Sequence, residues 1–217
     1  MRRRWKRFLA GLLTAVLLLT TLPVQALAAE HPFRDVGRLS WYADAVEYVY
    51  SHGLFQGTTD TTFTPEGTMT RAMLVTVLGR IAEVDAADYG GGTAFTDVSP
   101  DAYYAPYVAW AAGAGITAGV GDGRFCPNLP VTRAQIAVFF YRYLNWSGAP
   151  MPKDATDTRP ADEAELPAYA REAVMALWRA GLFQGDPSGR FLPDENATRA
   201  RWRPCVCGWI PTWWTAA

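Results

Sequence analysis

Gly53-Leu54-Phe55-Gln56-Gly57, then Phe63-Thr64-Pro65, then Thr70-Arg71-Ala72: residues 53–72 decide the fold, because the chain spells this pattern three times. Sixty-two residues on stand Gly115, Gly119, Phe125-Cys126-Pro127 and Thr132-Arg133-Ala134. A third copy has Gly181, Gly185, Phe191-Leu192-Pro193 and Thr198-Arg199-Ala200, and the first glycine precedes the threonine by 17 residues in every copy. Such a fixed recurrence marks a repeat architecture, in which each copy is one supersecondary unit.

Upstream of the pattern, apolar residues follow helical spacing: Tyr42, Ala45, Val46, Val49 and Tyr50; then Tyr104, Tyr107, Val108, Ala111 and Ala112; then Ala170, Ala173, Val174, Leu177 and Trp178. That i, i+3, i+4, i+7, i+8 order predicts one buried helical stripe per copy. Gly53, Gly115 and Gly181 are expected to end these helices in the left-handed conformation of a C-cap. Downstream, Thr70, Thr132 and Thr198 are expected to open a second helix, each hydroxyl accepting from a first-turn N–H. Gln135 is placed to complete a capping box in copy two. Met73, Leu74, Val77, Leu78 and Ile81 form the second stripe of copy one, and Ile136, Phe139, Phe140, Tyr143 and Leu144 that of copy two. Links over 85–93 and 147–154, rich in Gly, Pro, Ala and Asp, read as exposed connectors. One such hairpin cannot bury its stripe alone, so three are expected to pack into an all-α assembly with pseudo-threefold symmetry.

Outside the repeats, the N-terminus carries Arg2, Arg3, Arg4, Lys6 and Arg7, an apolar run over 8–22, and Ala26-Leu27-Ala28. This is the order of a secretory signal peptide. The apolar run of 15 residues is short of the roughly 20 that span a bilayer. Removing 1–28 takes away five of 20 basic residues and none of the 21 acidic ones, leaving a net charge of −6. An acidic module is a poor partner for nucleic acid, whose binding depends on Lys and Arg neutralising phosphates. Cys126, Cys205 and Cys207 are an odd set with no zinc-like spacing or nearby histidine, so neither a disulfide framework nor a metal is expected. His31 and His52 are the only histidines, and no Gly-x-Ser-x-Gly, P-loop or His-Glu-x-x-His appears, which argues against an enzyme.

The Phe33-Arg34-Asp35-Val36 start (Phe95-Thr96-Asp97-Val98 in copy two), the Gly-x-x-x-Gly turn, the Phe-x-Pro and the Thr-Arg-Ala opening together resemble S-layer homology domains. The resemblance implies a three-pronged spindle with ligand grooves between prongs. Its organisation would be a signal peptide over 1–28, repeats over 31–86, 93–147 and a partial 154–201, and an aberrant tail over 202–217. The implied function is non-covalent anchoring of a secreted protein at the bacterial cell surface. The partner would be secondary cell-wall polysaccharide, often pyruvylated, or another peptidoglycan-linked glycan. No cofactor is implied, and the membrane enters only through the signal peptide before cleavage. The alternative is a structural surface-layer or envelope assembly protein that recognises no sugar.

By that resemblance Arg71, Arg133 and Arg199 take the ligand carboxylate. The residues support the chemistry: an arginine at the first helical position sits where N–H groups and the helix dipole favour an anion, and guanidinium grips carboxylate through two parallel bonds. The competing reading pairs each arginine with a neighbouring acid to hold prongs together. Asp35 and Asp97 are candidates to accept from sugar hydroxyls, to orient an arginine, or simply to cap a turn. Trp41 and Tyr103 offer ring faces to a pyranose or else belong to the core. Gly57 and Gly119 are expected to let backbone approach the ligand.

Copy three departs from the pattern. Its opening phenylalanine is replaced by Ala155-Thr156-Asp157, leaving Asp157 or Asp162 as the equivalent acid. After Thr198 the helix meets Pro204, which removes an N–H and clashes with the preceding turn at a cost of ~3 kcal/mol or more. The tail, with four tryptophans and no stripe, reads as translation in a wrong frame. The third prong is therefore expected to be incomplete, with its first stripe uncovered and prone to fraying.

Overall fold

The computed structural model of the chain describes residues 31–151 and 156–200. Five α-helices lie in them: α1 Ala43–Ser51, α2 Arg71–Ile81, α3 Ala105–Gly113, α4 Arg133–Ser147 and α5 Arg171–Arg179. Two 3-10 turns, Ala86–Tyr89 and Glu163–Glu165, and isolated backbone bridges complete the regular structure among the described residues, and the class is all-α. The expected signal peptide, the tail and the stretch from residue 201 on, where the third copy's second helix is expected, lie outside the described residues. None of the described helices is long and apolar enough to cross a membrane.

The helix boundaries follow from local chemistry. Thr70 and Thr132 accept from Met73 N and Gln135 N, each at 3.3 Å. Gly53, Gly115 and Gly181 take φ of 66°, 71° and 69°, which reverses the chain after α1, α3 and α5 at no Cβ penalty. The Gln135 amide oxygen, expected to close a capping box, instead accepts from Arg71 Nη1 at 3.5 Å, across the boundary between copies.

An aspartate clasps the loop of each copy. Asp35 accepts from Phe63 N and Thr64 N at 2.8 and 2.7 Å, and Asp97 from Phe125 N and Cys126 N at 2.8 Å each. In copy three Asp162, not Asp157, holds Phe191 N and Leu192 N at 2.7 and 2.8 Å. The second residue of each pair sits at positive φ: Thr64 at 56°, Cys126 at 57°, Leu192 at 60°. A non-glycine residue pays for that conformation, and the carboxylate offsets the cost by satisfying two N–H groups at once.

The copies are joined in a closed cycle. Met69 N donates to Ala197 O, Val131 N to Met69 O, and Ala197 N to Val131 O, at 2.9, 2.9 and 3.1 Å. These bonds run from copy to copy, and the last returns to the first. Around it lie Phe63, Phe125, Phe191, Met69 and Val131, all almost fully buried.

Helices pair between neighbouring copies: α2 packs on α3, and α4 on α5. This corrects the expectation that the stripe of copy three depends on its own second helix. Ala173, Val174, Leu177 and Trp178 are buried because α4 covers α5. The two pairs fit by opposite choices of size. On α2 Gly79 leaves room for the Tyr107 ring of α3, where a Cβ would meet Cδ1 at 2.4 Å. On α4 the equivalent position holds Tyr141, whose hydroxyl donates to Glu172 Oε1 at 3.0 Å, and α5 answers with Ala173.

The missing phenylalanine of copy three has a structural consequence. Phe33 and Phe95 lie over Gly57 and Gly119, where a Cβ would meet the ring at 2.5 and 2.6 Å. In copy three Trp178 comes over Gly185 instead, its Nε1 donating to Thr158 Oγ1 at 3.2 Å. A hollow of ≈ 390 Å³ lies beside Thr156, Thr158 and Trp178.

Candidate functional site

The three Thr-Arg-Ala openings face the neighbouring copy. The N–H groups of Arg71 and Ala72 donate to Leu129 O and Pro127 O, those of Arg133 and Ala134 to Glu195 O and Pro193 O, and those of Arg199 and Ala200 to Gly67 O and Pro65 O, at 2.8–3.0 Å. These first-turn donors, expected to await an anion, are therefore already occupied by backbone carbonyls.

The guanidinium groups follow the same cycle. Arg71 Nε donates to Phe125 O at 2.8 Å, Arg133 Nε to Phe191 O at 2.7 Å, and Arg199 Nε to Phe63 O at 2.8 Å. Each carbonyl belongs to the phenylalanine whose N–H the next copy's aspartate holds. Each cation also lies over an aromatic face: Arg71 on Phe125 and Phe139, Arg133 on Phe191, Arg199 on Phe55 and Phe63, at 4.5–5.2 Å from the centroids. Arg71 and Arg199 are only 4% and 7% exposed. Among the described residues none of the three forms an ion pair with a carboxylate. They hold copies together through carbonyls and rings rather than through the acids considered from the sequence.

Arg199 stands in a groove of ≈ 270 Å³. Its walls are the Gln56–Gly57–Thr58 loop, Met73, Thr76 and Arg80 of α2, Arg199 and Tyr103. All three copies thus contribute to one groove, and none of its described lining residues is acidic. Arg199 Nη2 donates to Gln56 O at 2.8 Å, while Nη1 meets only the Met73 sulfur, at 3.7 Å. Burial pushes the guanidinium pKa down to about 10, against the opposing pull of Tyr103 and Asp35. This is a cation largely held out of water, with Asp35 acting on it only from a distance and no ion pair among the described residues, a state that an incoming anion relieves.

Trp41 and Tyr103 are surface residues, 55% and 61% exposed, each held edge-on by the next residue, Tyr42 or Tyr104. The core reading of these rings is excluded. Tyr169, 60% exposed, occupies the same position in copy three, and Arg71 feels its phenol electrostatically. The sequence reasoning passed over Tyr169, although its place before Ala170, in register with Trp41 before Tyr42, was available. Arg80 was also passed over, being a basic residue late in a helix with no motif around it.

Asp35 and Asp97 serve as loop clasps and do not contact the arginines directly. Partial burial works to raise their carboxyl pKa, but the N–H groups of Phe63 and Thr64, or of Phe125 and Cys126, outweigh it and hold both below the usual range. Gly57 lines the groove, yet the room it makes is taken by the Phe33 ring and the Thr59 and Thr62 carbonyls. Gly119 makes the same room for Phe95 and Arg124 O. Among the described residues no three His, Cys, Asp or Glu gather as a metal site.

A repeated helix pair closed by aspartate clasps and cross-copy arginines is the arrangement of a tandem surface module. The S-layer homology domain matches at residues 32–72, 94–137 and 162–200, more than half of the chain, and the chain belongs to that family. It is 32% identical over 173 residues to an endoglucanase of Bacillus sp. (strain KSM-635), covering 77% of this chain and 17% of that protein. It is 28% identical over 192 residues to exoglucanase XynX of Acetivibrio thermocellus, covering 88% of this chain and 17% of that one. It is also 26% identical over 196 residues to an S-layer protein of Bacillus thuringiensis subsp. finitimus, covering 90% and 23%. The chain spans less than a quarter of the length of these curated relatives.

Proposed function

We propose that the chain is a non-catalytic anchoring module that holds a secreted protein at the bacterial cell surface by binding an acidic wall glycan, with pyruvylated secondary cell-wall polysaccharide as the ligand. The observation that carries this reading is the Arg199 groove: a buried guanidinium with one edge uncommitted, an exposed tyrosine beside it, and no carboxylate lining the walls. A ketal-linked pyruvate offers one carboxylate on an otherwise neutral sugar, which suits guanidinium for the charge and Tyr103 for the ring face. Arg71 with Tyr169 and Arg133 with Trp41 would form the corresponding grooves. Asp35 and Asp97 would act one step back, fixing the loops whose carbonyls position Arg199 and Arg71. Glucanases and an S-layer protein share this stretch as a minor part of their length, which supports an anchoring role over a catalytic one.

The test is sedimentation of the protein with purified walls. Binding to walls that carry pyruvylated polysaccharide is expected, together with its loss after hydrogen-fluoride stripping and in Arg199→Gln. Equal binding to stripped peptidoglycan overturns the polysaccharide reading. Absence of binding to either preparation favours a structural assembly role.

A further inference from the structure

Arg80 belongs to the same groove as Arg199 but to a different copy's helix wall. It lies half-buried on the face of α2 that also presents Thr76 and Val77, and its Nη1 donates to Leu54 O at 3.0 Å. Like Arg199, it has no ion-pair partner among the described residues. Burial and Tyr104 push the Tyr103 phenol up, while Arg80 and Arg199 both pull it down, so both cations act on the same hydroxyl. The groove therefore brings two positive charges to one phenol with no acid among its described lining residues, Asp35 acting on Arg199 from outside it. Like charges sharing a partly dehydrated space repel, and a single carboxylate neutralises only one of them.

Copy two repeats the arrangement. Arg142, in register with Arg80, turns its Nη1 to Ile116 O at 3.5 Å, as Arg80 does to Leu54 O. Arg71 stands there in the role of Arg199, buried and in no ion pair among the described residues, with Tyr169 and Asp97 acting on it electrostatically. A second cation thus recurs at the same register of the next copy's helix, held by the same carbonyl contact.

We infer that Arg80 is a specificity-determining residue that makes this groove select a diacidic glycan segment, one carrying a second anionic group beside the carboxylate taken by Arg199. The inference rests on the glycan-binding function proposed above and adds the charge state of the ligand. The second group is a carboxylate or a phosphate on the neighbouring sugar; either meets the guanidinium as a charge-assisted hydrogen-bond acceptor.

Calorimetric titration of the full chain with three defined probes tests it: a glycoside bearing one pyruvate ketal, and disaccharides bearing that ketal plus either a uronate or a phosphate. At least one diacidic probe is expected to bind about tenfold more tightly than the monoacidic one, the scale of one added charged hydrogen bond. Arg80→Gln should reduce that preference to about twofold or less, weakening the diacidic probe by more than the monoacidic one. Arg80→Lys should retain most of the preference. Because Arg80 also secures Leu54 O, a purely structural role would lower all affinities together, and that result overturns the inference. So does equal affinity of the wild-type chain for mono- and diacidic probes, which leaves the proposed function intact. Failure to bind any of the three removes both.

Discussion

Replacing Arg71 separates the contribution of its charge from that of its stem. Arg71→Met keeps an unbranched apolar chain between Phe125 and Phe139 but removes the N–H that Phe125 O accepts at 2.8 Å. A hydrogen bond from a charged donor contributes about 1.5–3 kcal/mol net. Burial, which pushes this guanidinium's pKa down, acts in the other direction, so the methionine variant should lose about 1–2 kcal/mol. Arg71→Ala also strips two buried methylenes, about 0.8 kcal/mol each, and the cation–ring contacts, for a total of about 3–4 kcal/mol. For a unit of this size each kcal/mol moves Tm by about 2–4 °C, giving shifts of about 4 °C and about 10 °C. Thermal and urea unfolding at pH 7, followed by circular dichroism, reads both values. A methionine variant as stable as the original would mean that the cost of burying the charge cancels its bond to the next copy. The arginine cycle would then contribute nothing to holding the copies together.

Other outcomes follow from the same geometry. Asp35 and Asp97 have folded-state pKa values below their unfolded ones, so their contribution is present above the unfolded value of about 3.9 and is lost as pH falls through the folded values. Asp35→Asn and Asp97→Asn should flatten the acid limb of the stability–pH curve, and an unchanged limb would remove the clasps from the account. Gly79→Ala should destabilise by about 1 kcal/mol, overpacking against Tyr107 outweighing the gain in helix propensity. In a Tyr107→Ala background the same change should stabilise, and denaturant melts of the four-member cycle show whether the sign reverses. Thr132→Ala should cost about 0.5–2 kcal/mol through loss of the cap on Gln135 N, measured the same way. Amide exchange should protect α5 as well as α3, since each is covered by the helix of the preceding copy; rapid exchange confined to α5 would contradict that pairing.

The sequence was most informative where one residue type answers a local requirement. Gly53, Gly115 and Gly181 announced their turns, Thr70 and Thr132 their caps, and the stripes their buried faces, because each depends on backbone sterics within a few residues. Partnership between copies was less legible. Periodicity shows that Val174 and Leu177 are buried but not by which helix, and the choice of α4 depends on loop geometry that no short window contains. The arginines illustrate the same limit at the site. Guanidinium at a helix start reads as an anion binder, whereas the Phe125, Phe191 and Phe63 carbonyls that engage Nε lie 54 to 136 residues away. Asp162 was ambiguous with Asp157 because an altered spacing shifts the register. Only the pair of N–H groups it holds distinguishes them.

The alternation of large and small across the helix pairs gives the copies individual identities. A chain that repeats itself is exposed to assembly errors in which a helix finds the right kind of partner from the wrong copy, within one molecule or between two. Here α4 docked on α3 would drive Tyr141 into Tyr107, while α2 docked on α5 would set Gly79 opposite Ala173 and leave an unfilled gap. Both errors carry a packing penalty that the correct pairs avoid. The same contacts constrain recombination: exchanging copies one and two as whole units, though their motifs match, would bring mismatched faces together. Modules that share one pattern are thereby kept in one order by a glycine, an alanine and two tyrosines.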